Sequence, residues 1–229
     1  MNLLRVGRHS LSRTSIRPPF QTLTLDGSNA SGHDVDVAIE PELALLQRIA
    51  GGDRAAFHEL FEAYYRRLSR FCTRLLHDPQ LVEEVVNDTL MVAWRKAGSF
   101  NARSRVSTWI FGIAYRLAMK ALASGQLRAR EIGSDGAMQG QAGSSVETQL
   151  EDTEVRELLE VALMRLSPDH RAVLELAYFM GYSCAEIAAI VECPVNTVKT
   201  RLFKARERLR MLWPTLTSET RPTFQETME

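Results

Sequence analysis

The sequence predicts an all-α protein built as two small helical domains joined by a flexible linker. Three observations carry this reading. Apolar residues recur at helical spacing, from Phe57 to Leu75 and again from Val198 to Leu209, so that one face of each segment can be buried. No stretch shows the every-second-residue alternation of a half-buried strand. Between the two helical blocks, residues 125–152 carry Gly125, Gly133, Gly136, Gly140 and Gly143 among Ser and Gln, which disfavours a continuous helix and predicts two domains without a fixed mutual arrangement. At 229 residues the chain is long enough for each domain to bury its own core.

Residues 1–40 open the chain with Ser, Thr and Arg, the pair Pro18-Pro19, and no helical period, and they read as a disordered tail. No acid precedes Asp26, so three readings stand for the tail: a solvated segment, an arm that touches DNA, or a start codon placed too early. The first domain spans 41–124. Asp53 is placed to cap a helix whose Phe57, Leu60, Phe61, Tyr64, Leu68, Phe71 and Leu75 follow one face. Asp78-Pro79 breaks and restarts the chain, after which Leu81, Val85, Thr89 and Val92 climb one face towards Trp94. A polar connection from Gly98 to Ser107 precedes a third helix with Trp109, Ile110, Ile113, Leu117 and Ala121 inward.

The second domain spans 153–213 and opens with Val155, Leu158, Leu159, Ala162 and Leu163. Ser167-Pro168 is a helix start with Pro at the first helical position. Ser183 and Glu186 have the spacing of a capping box, and Pro194 opens the last helix. Residues 214–229 form a C-terminal tail.

The formal net charge is zero, but it is the sum of strongly signed segments. Arg95 to Arg130 holds eight Lys/Arg and no acid, whereas Glu131 to Leu163 holds eight acids and one base, Arg156. Phosphates respond to local potential, so neutrality does not exclude a nucleic-acid partner. Cys72, Cys184 and Cys193 share no CxxC spacing and suit free thiols in a reducing compartment. No His/Cys cluster completes a ligand set, so neither a metal nor a cofactor is expected. No apolar run approaches the roughly 20 residues of a membrane span. Arg5, Arg8, Arg13 and Arg17 interrupt any signal-peptide core, and the chain reads as cytoplasmic. The His residues are scattered, and no Gly-rich phosphate loop or nucleophile motif supports an enzyme.

Three segments carry chemistry. From Pro194 to Arg210 there are six Lys/Arg against one acid, Glu207. Val198, Leu202, Ala205 and Leu209 form an apolar stripe, leaving Asn196, Lys199, Thr200, Phe203 and Arg206 to face outward. With the capped helix and turn SCAEIAAIVEC before it, this segment has the length and charge of a helix-turn-helix reader. Lys199, Arg201, Lys204 and Arg206 suit phosphates, while Asn196 and Lys199 suit base edges. The bland alternative is an amphipathic helix with a solvated basic face.

The acid-free stretch mixes cations with Phe100, Trp109, Phe111 and Tyr115, a composition that can track a backbone and stack on unpaired bases. Trp109 and Phe111 also fit a plain core role. The loop Asn101-Ala102-Arg103-Ser104-Arg105 has no apolar reason to exist and could wrap a base or a phosphate. The third segment is acidic: Asp78, Glu83, Glu84 and Asp88 share a helix with more apolar surface than one buried stripe requires. A protein partner and a solvated acidic face both account for it.

The run DPQLVEEVVNDTLMVAWRKAGSF, then STWIFGIAYRLAMKAL, then LSPDHRAVLELAYFMGYSCAEIAAIVECPVNTVKTRLFKARERLR resembles the extracytoplasmic-function (ECF) sigma factors of the sigma-70 family, over about Leu43 to Leu212. The resemblance implies a region 2-like first domain and a region 4-like second domain of an alternative sigma factor. Such a factor binds the clamp helices and flap of core RNA polymerase and directs initiation at promoter DNA. It also implies an anti-sigma factor as partner.

Carried onto this chain, the polymerase-docking set is Asp78, Leu81, Glu83, Glu84, Asn87, Asp88, Leu90, Met91 and Trp94. The set for recognising and melting the −10 element is Phe100, Asn101, Arg103, Ser104, Arg105, Trp109, Tyr115, Arg116 and Lys120. The −35 set is Pro194, Val195, Asn196, Thr197, Lys199, Thr200, Arg201, Phe203, Lys204 and Arg206. The chain departs from the family where Glu192 and Pro194 stand in a turn that usually carries Gly and Ser. It departs again where Tyr115-Arg116 replaces a common Arg-Asn. A stand-alone helix-turn-helix regulator is the alternative reading; it leaves the acidic helix and the acid-free aromatic stretch without a role.

Overall fold

The computed structural model describes residues 39–131 and 150–219, with side chains placed over 41–125 and 157–215. The predicted N-terminal tail, the middle of the linker and the chain from residue 220 lie outside the described residues. Helices α1 (Ile39–Ala50), α2 (Arg54–Leu76), α3 (Pro79–Lys96) and α4 (Val106–Glu131) form the first domain, with one 3-10 turn at Ala97–Ser99. Helices α5 (Leu150–Met164), α6 (Pro168–Leu174), α7 (Cys184–Ile190) and α8 (Val195–Glu219) form the second, and a π turn at Glu175–Phe179 continues α6. All regular structure among the described residues is helical, as expected.

The helix starts are where the sequence puts its caps. Asp53 Oδ1 accepts from the amides of Ala55 and Ala56 at 2.9 and 3.1 Å, and Asp78 Oδ1 accepts from Gln80 at 2.9 Å with Pro79 at the first helical position. At α7 the Ser183 amide donates to the Glu186 carboxylate at 2.9 Å, while the Glu186 amide donates to Ser183 Oγ at 3.3 Å. Each pairing satisfies amides that the first helical turn leaves unbonded. Helix α2 ends at His77, which takes the left-handed conformation at φ 57°.

The first core is built on α2, whose Leu60, Tyr64, Leu68, Phe71 and Leu75 are buried, with Phe71 meeting Phe111 of α4 edge-on at 5.4 Å. On α3 the buried set is Val82, Val85, Val86, Thr89, Leu90 and Ala93, while Leu81 and Val92 sit half-buried at its margins. The stripe is wider and set one position from the expected one because α3 packs on both α2 and α4. In the second domain Val198, Leu202, Ala205 and Leu209 are all buried, as their spacing predicts.

Two element ends differ from expectation. Helix α4 runs through Gly125 to Glu131, and α5 already begins at Leu150. A helical Gly costs about 1 kcal/mol relative to Ala, but the following Gln-Leu-Arg-Ala-Arg run consists of good helix formers that carry the helix onward. Helix α8 continues past Trp213 through Pro214 to Glu219; it packs on α5, and Trp213 is buried.

The two domains are joined by more than their linker. Helix α4 lies along α7, and one apolar core runs from one domain into the other. Phe111 meets Tyr182 edge-on at 5.6 Å, and a Cβ on Gly112 would sit 3.7 Å from the Ile190 carbonyl oxygen, so the small residue sets how closely the helices approach. The expectation of two domains free of a fixed arrangement is corrected here: apolar burial and ion pairs across the seam hold them together.

Candidate nucleic-acid interface

The basic face of α8 emerges as the apolar stripe requires. With Val198, Leu202 and Ala205 at 0% exposure, Asn196, Lys199, Thr200, Phe203 and Lys204 are left to solvent. Phe203 is 60% exposed, an apolar side chain standing among cations on a face with no intramolecular cover. Such a group suits the methyl of a thymine. Pro194 and Val195 are exposed at the start of the helix, Thr197 is half-buried, and the Thr200 hydroxyl donates to the Asn196 carbonyl at 2.9 Å. Arg201 is not turned outward with the others: it donates to Asp169 at 2.9 Å. Arg206 is half-buried.

The turn before α8 places Glu192 at φ 52°, in the left-handed region where a side chain costs about 1 kcal/mol. This gives the family's preference for Gly at that turn a physical reason, and shows what Glu192 does instead. Its carboxylate accepts from Arg116 of α4.

The loop before α4 projects into solvent. Asn101, Ala102, Arg103 and Ser104 are exposed, Ala102 adopts φ 55°, and Asn101 Oδ1 accepts from the Arg103 amide at 3.2 Å. Beneath it Phe100 and Trp109 are half-buried with ring centroids 5.3 Å apart, forming an aromatic floor that a displaced base can stack against. Lys120 is exposed further along α4. Three other expected members of this set are engaged by the second domain. Arg105 pairs with Glu186 at 3.1 Å, Arg116 pairs with Glu192, and Tyr115 is 8% exposed with its O–H donating to Asp169 at 2.8 Å. Burial and the neighbouring carboxylate push the Tyr115 phenol well above its ordinary pKa.

Helix α3 presents Glu83, Glu84, Asn87, Asp88 and Met91 on one exposed face. Leu90 is removed from the expected docking set, because it is 1% exposed and belongs to the domain's own core. Trp94 packs edge-on against Phe57 at 5.0 Å, Leu81 is half-buried, and Asp78 is committed to the cap.

Sequence reasoning missed Arg171. It is 6% exposed, and its Nε and second amino group donate to the carbonyls of Leu163, Met164 and Leu166 at 2.9–3.1 Å, closing α5. Its remaining amino group donates to the carbonyls of Arg74 and Leu75 at 3.2 and 3.4 Å and meets the His77 ring, closing α2 of the other domain. A planar cation among helix C-terminal carbonyls has both hydrogen-bond and dipole reasons to be there. Nothing in its sequence neighbourhood marks it, since the second helix end lies in a distant segment.

Comparison with known proteins rests on this geometry. Residues 60–128 match the family model for sigma-70 region 2, and 156–209 match that for sigma-70, region 4. The chain is 30% identical over 180 residues to the RNA polymerase sigma-H factor of Pseudomonas aeruginosa, covering 74% of this chain and 92% of that protein. It is 31% identical over 175 residues to the ECF RNA polymerase sigma-E factor of Escherichia coli, covering 72% and 90%. The chain belongs to the ECF group of the sigma-70 family.

Among solved structures, this sigma factor is similar to RpoE of Bartonella quintana in complex with the anti-sigma factor NepR. There the TM-score is 0.54 and the identity 29%, over 72% of this chain and 98% of that one. CnrH, solved with the cytosolic domain of CnrY, shares the fold at a TM-score of 0.56 and 22% identity, over 76% and 97%. As a sigma factor the chain acts in transcription initiation. No helix among the described residues is long and apolar enough to cross a membrane.

Proposed function

We propose that this sigma factor docks on core RNA polymerase through the acidic outer face of α3. It then reads the −35 element with α8 and opens the −10 element with the 100–105 loop and α4. The observation that carries this is the separation of charge onto distinct solvent faces: Glu83, Glu84 and Asp88 on α3, and Lys199 and Lys204 on α8. Carboxylates repel phosphate and suit a cationic protein surface, while the basic helix suits duplex DNA.

Promoter opening by such a protein is a matter of binding energy rather than bond-making, so the chain is no enzyme. Trapping unpaired bases on the Phe100–Trp109 floor offsets the few kcal/mol of unstacking. Its place of action is the cytoplasm, where polymerase and promoter are. Sigma factors of similar structure have been solved with anti-sigma partners, which supports an anti-sigma factor as the partner that restrains this one.

The test is gel filtration of the purified chain with bacterial core RNA polymerase. Co-elution is expected. A chain that binds duplex DNA but never co-elutes with core overturns the docking assignment in favour of a stand-alone regulator.

A further inference from the structure

Three donors assigned to the −10 element share one circumstance. Each is held by a carboxylate from the other domain: Arg105 by Glu186, Tyr115 by Asp169 and Arg116 by Glu192. These carboxylates stand where DNA phosphates would stand, on the same donors and with the same sign of charge. We propose that the second domain is a self-masking latch, which in the free chain covers the −10 face of α4 with phosphate-like carboxylates and must swing away before the promoter can be opened. The proposal rests on the promoter reading above.

Distance makes the closed arrangement incompatible with promoter engagement. One oxygen of Asp169 accepts from Tyr115 at 2.8 Å and the other accepts from Arg201 of the recognition helix at 2.9 Å. A residue assigned to the −10 element and one assigned to the −35 element are thus separated by a single carboxylate. The two elements, by their positions, are centred about 25 base pairs apart, or about 85 Å along B-form DNA at about 3.4 Å per base pair. No arrangement that keeps the Asp169 bridge can reach both.

Masking is also selective. Glu83, Glu84 and Met91 on α3 and Lys199 and Phe203 on α8 stay exposed while the latch is shut. The closed chain therefore keeps its polymerase-docking face and its −35 face available and withholds only its −10 face. That asymmetry sets an order: docking first, unlatching second, promoter opening last. The seam suits reversible opening, since its rim is made of part-exposed ion pairs, each worth about 0–1 kcal/mol, around a small apolar centre at Phe111 and Tyr182.

The test leaves the α4 donors intact and alters only the second domain, in the full chain carrying Asp169→Ala and Glu192→Lys. Glu186 is spared because it closes the α7 cap. Cys184 and Cys193 are replaced by Ser, Cys72 stays buried, and spin labels are placed at Ser99→Cys and Met211→Cys, both exposed positions. Expected for the unaltered seam is one short, narrow distance distribution that lengthens when core RNA polymerase is added. The double variant is expected to be broad and long without polymerase, and to bind a mixed-sequence 12-nucleotide single strand ~3- to 10-fold tighter, as the loss of two competing ion pairs implies.

A broad distribution in the unaltered chain overturns the latch. So does a short distance that persists in a polymerase complex competent for initiation, or unchanged single-strand affinity in an opened variant. Failure of both chains to co-elute with polymerase overturns the promoter reading instead, and the free-chain distance still decides whether the domains are latched.

Discussion

Arg171 serves five carbonyls with one guanidinium, and those carbonyls belong to helix ends in two domains. Burial lowers its pKa to about 10, which leaves it charged at neutral pH. Replacing it by Met fills much of the space but leaves several buried acceptors unpaired, each of which costs about 1–3 kcal/mol. Arg171→Met is therefore expected to cost about 3 kcal/mol or more, read as a lowered urea midpoint; an unchanged midpoint would mean that water serves these carbonyls equally well. Lys199 belongs to the opposite class, an exposed cation with its surroundings open. Lys199→Ala is expected to leave stability within about 0.5 kcal/mol and to reduce the slope of log affinity against log salt for duplex DNA by about 1. An unaltered slope takes Lys199 off the phosphates. The exposed basic face was legible in the sequence from four apolar positions alone. The pinning of Arg201 was not, because Asp169 lies in another helix.

Helix α3 shows how far an element can be read from its own residues. Its cap, its Pro start and its amphipathic division follow from Asp78-Pro79 and the spacing of Val82, Val85, Val86 and Thr89. Which apolar side chains remain outside was misjudged at Leu90, since a helix packed on two neighbours buries a wider stripe than one packed on a single surface. The remaining outer face is acidic. Replacing Glu83 and Glu84 together by Lys reverses that face without touching the core, and is expected to abolish co-elution with core polymerase while sparing binding to a −35 duplex. Retained co-elution would place the docking surface elsewhere. Helix α4 gives the matching lesson at its C-terminal end. Five glycines over 125–143 point to a break, yet the helix passes Gly125 because one glycine among good helix formers is a modest cost.

At the scale of the whole molecule, the seam carries two buried titratable groups with opposite effects. Glu175 is 2% exposed; burial outweighs its 3.3 Å pairing with Arg74 and raises its pKa from 4.5 to about 7. Its stabilising contribution is present below its unfolded value and is lost as pH rises through about 7. Burial and Arg171 lower His77 from 6.5 to about 4, so its contribution is present above 6.5 and is lost as pH falls towards 4. Between about 4.5 and 6.5 the two slopes oppose each other, and stability is expected to be nearly flat. Glu175→Gln removes one slope. The variant is expected to gain stability with rising pH across that window and to exceed the unaltered chain above pH 7 by on the order of 2–3 kcal/mol. Melting temperatures measured from pH 4 to 8 check this, and parallel curves would remove Glu175 from the account.

What the sequence determined by itself was local: helix type, the caps at Asp53, Asp78, Ser167 and Ser183, the buried stripe of α8, and the family. Each depends on residues within a few turns of one another, where spacing and backbone satisfaction decide the outcome. Only the tertiary structure decided the seam. The Asp169 bridge between Tyr115 and Arg201, the Arg171 clasp on α2 and the pairing of Arg105 and Arg116 with carboxylates all join residues far apart in the chain. No periodicity records such pairs, because two surfaces choose each other by shape and charge only after both have folded.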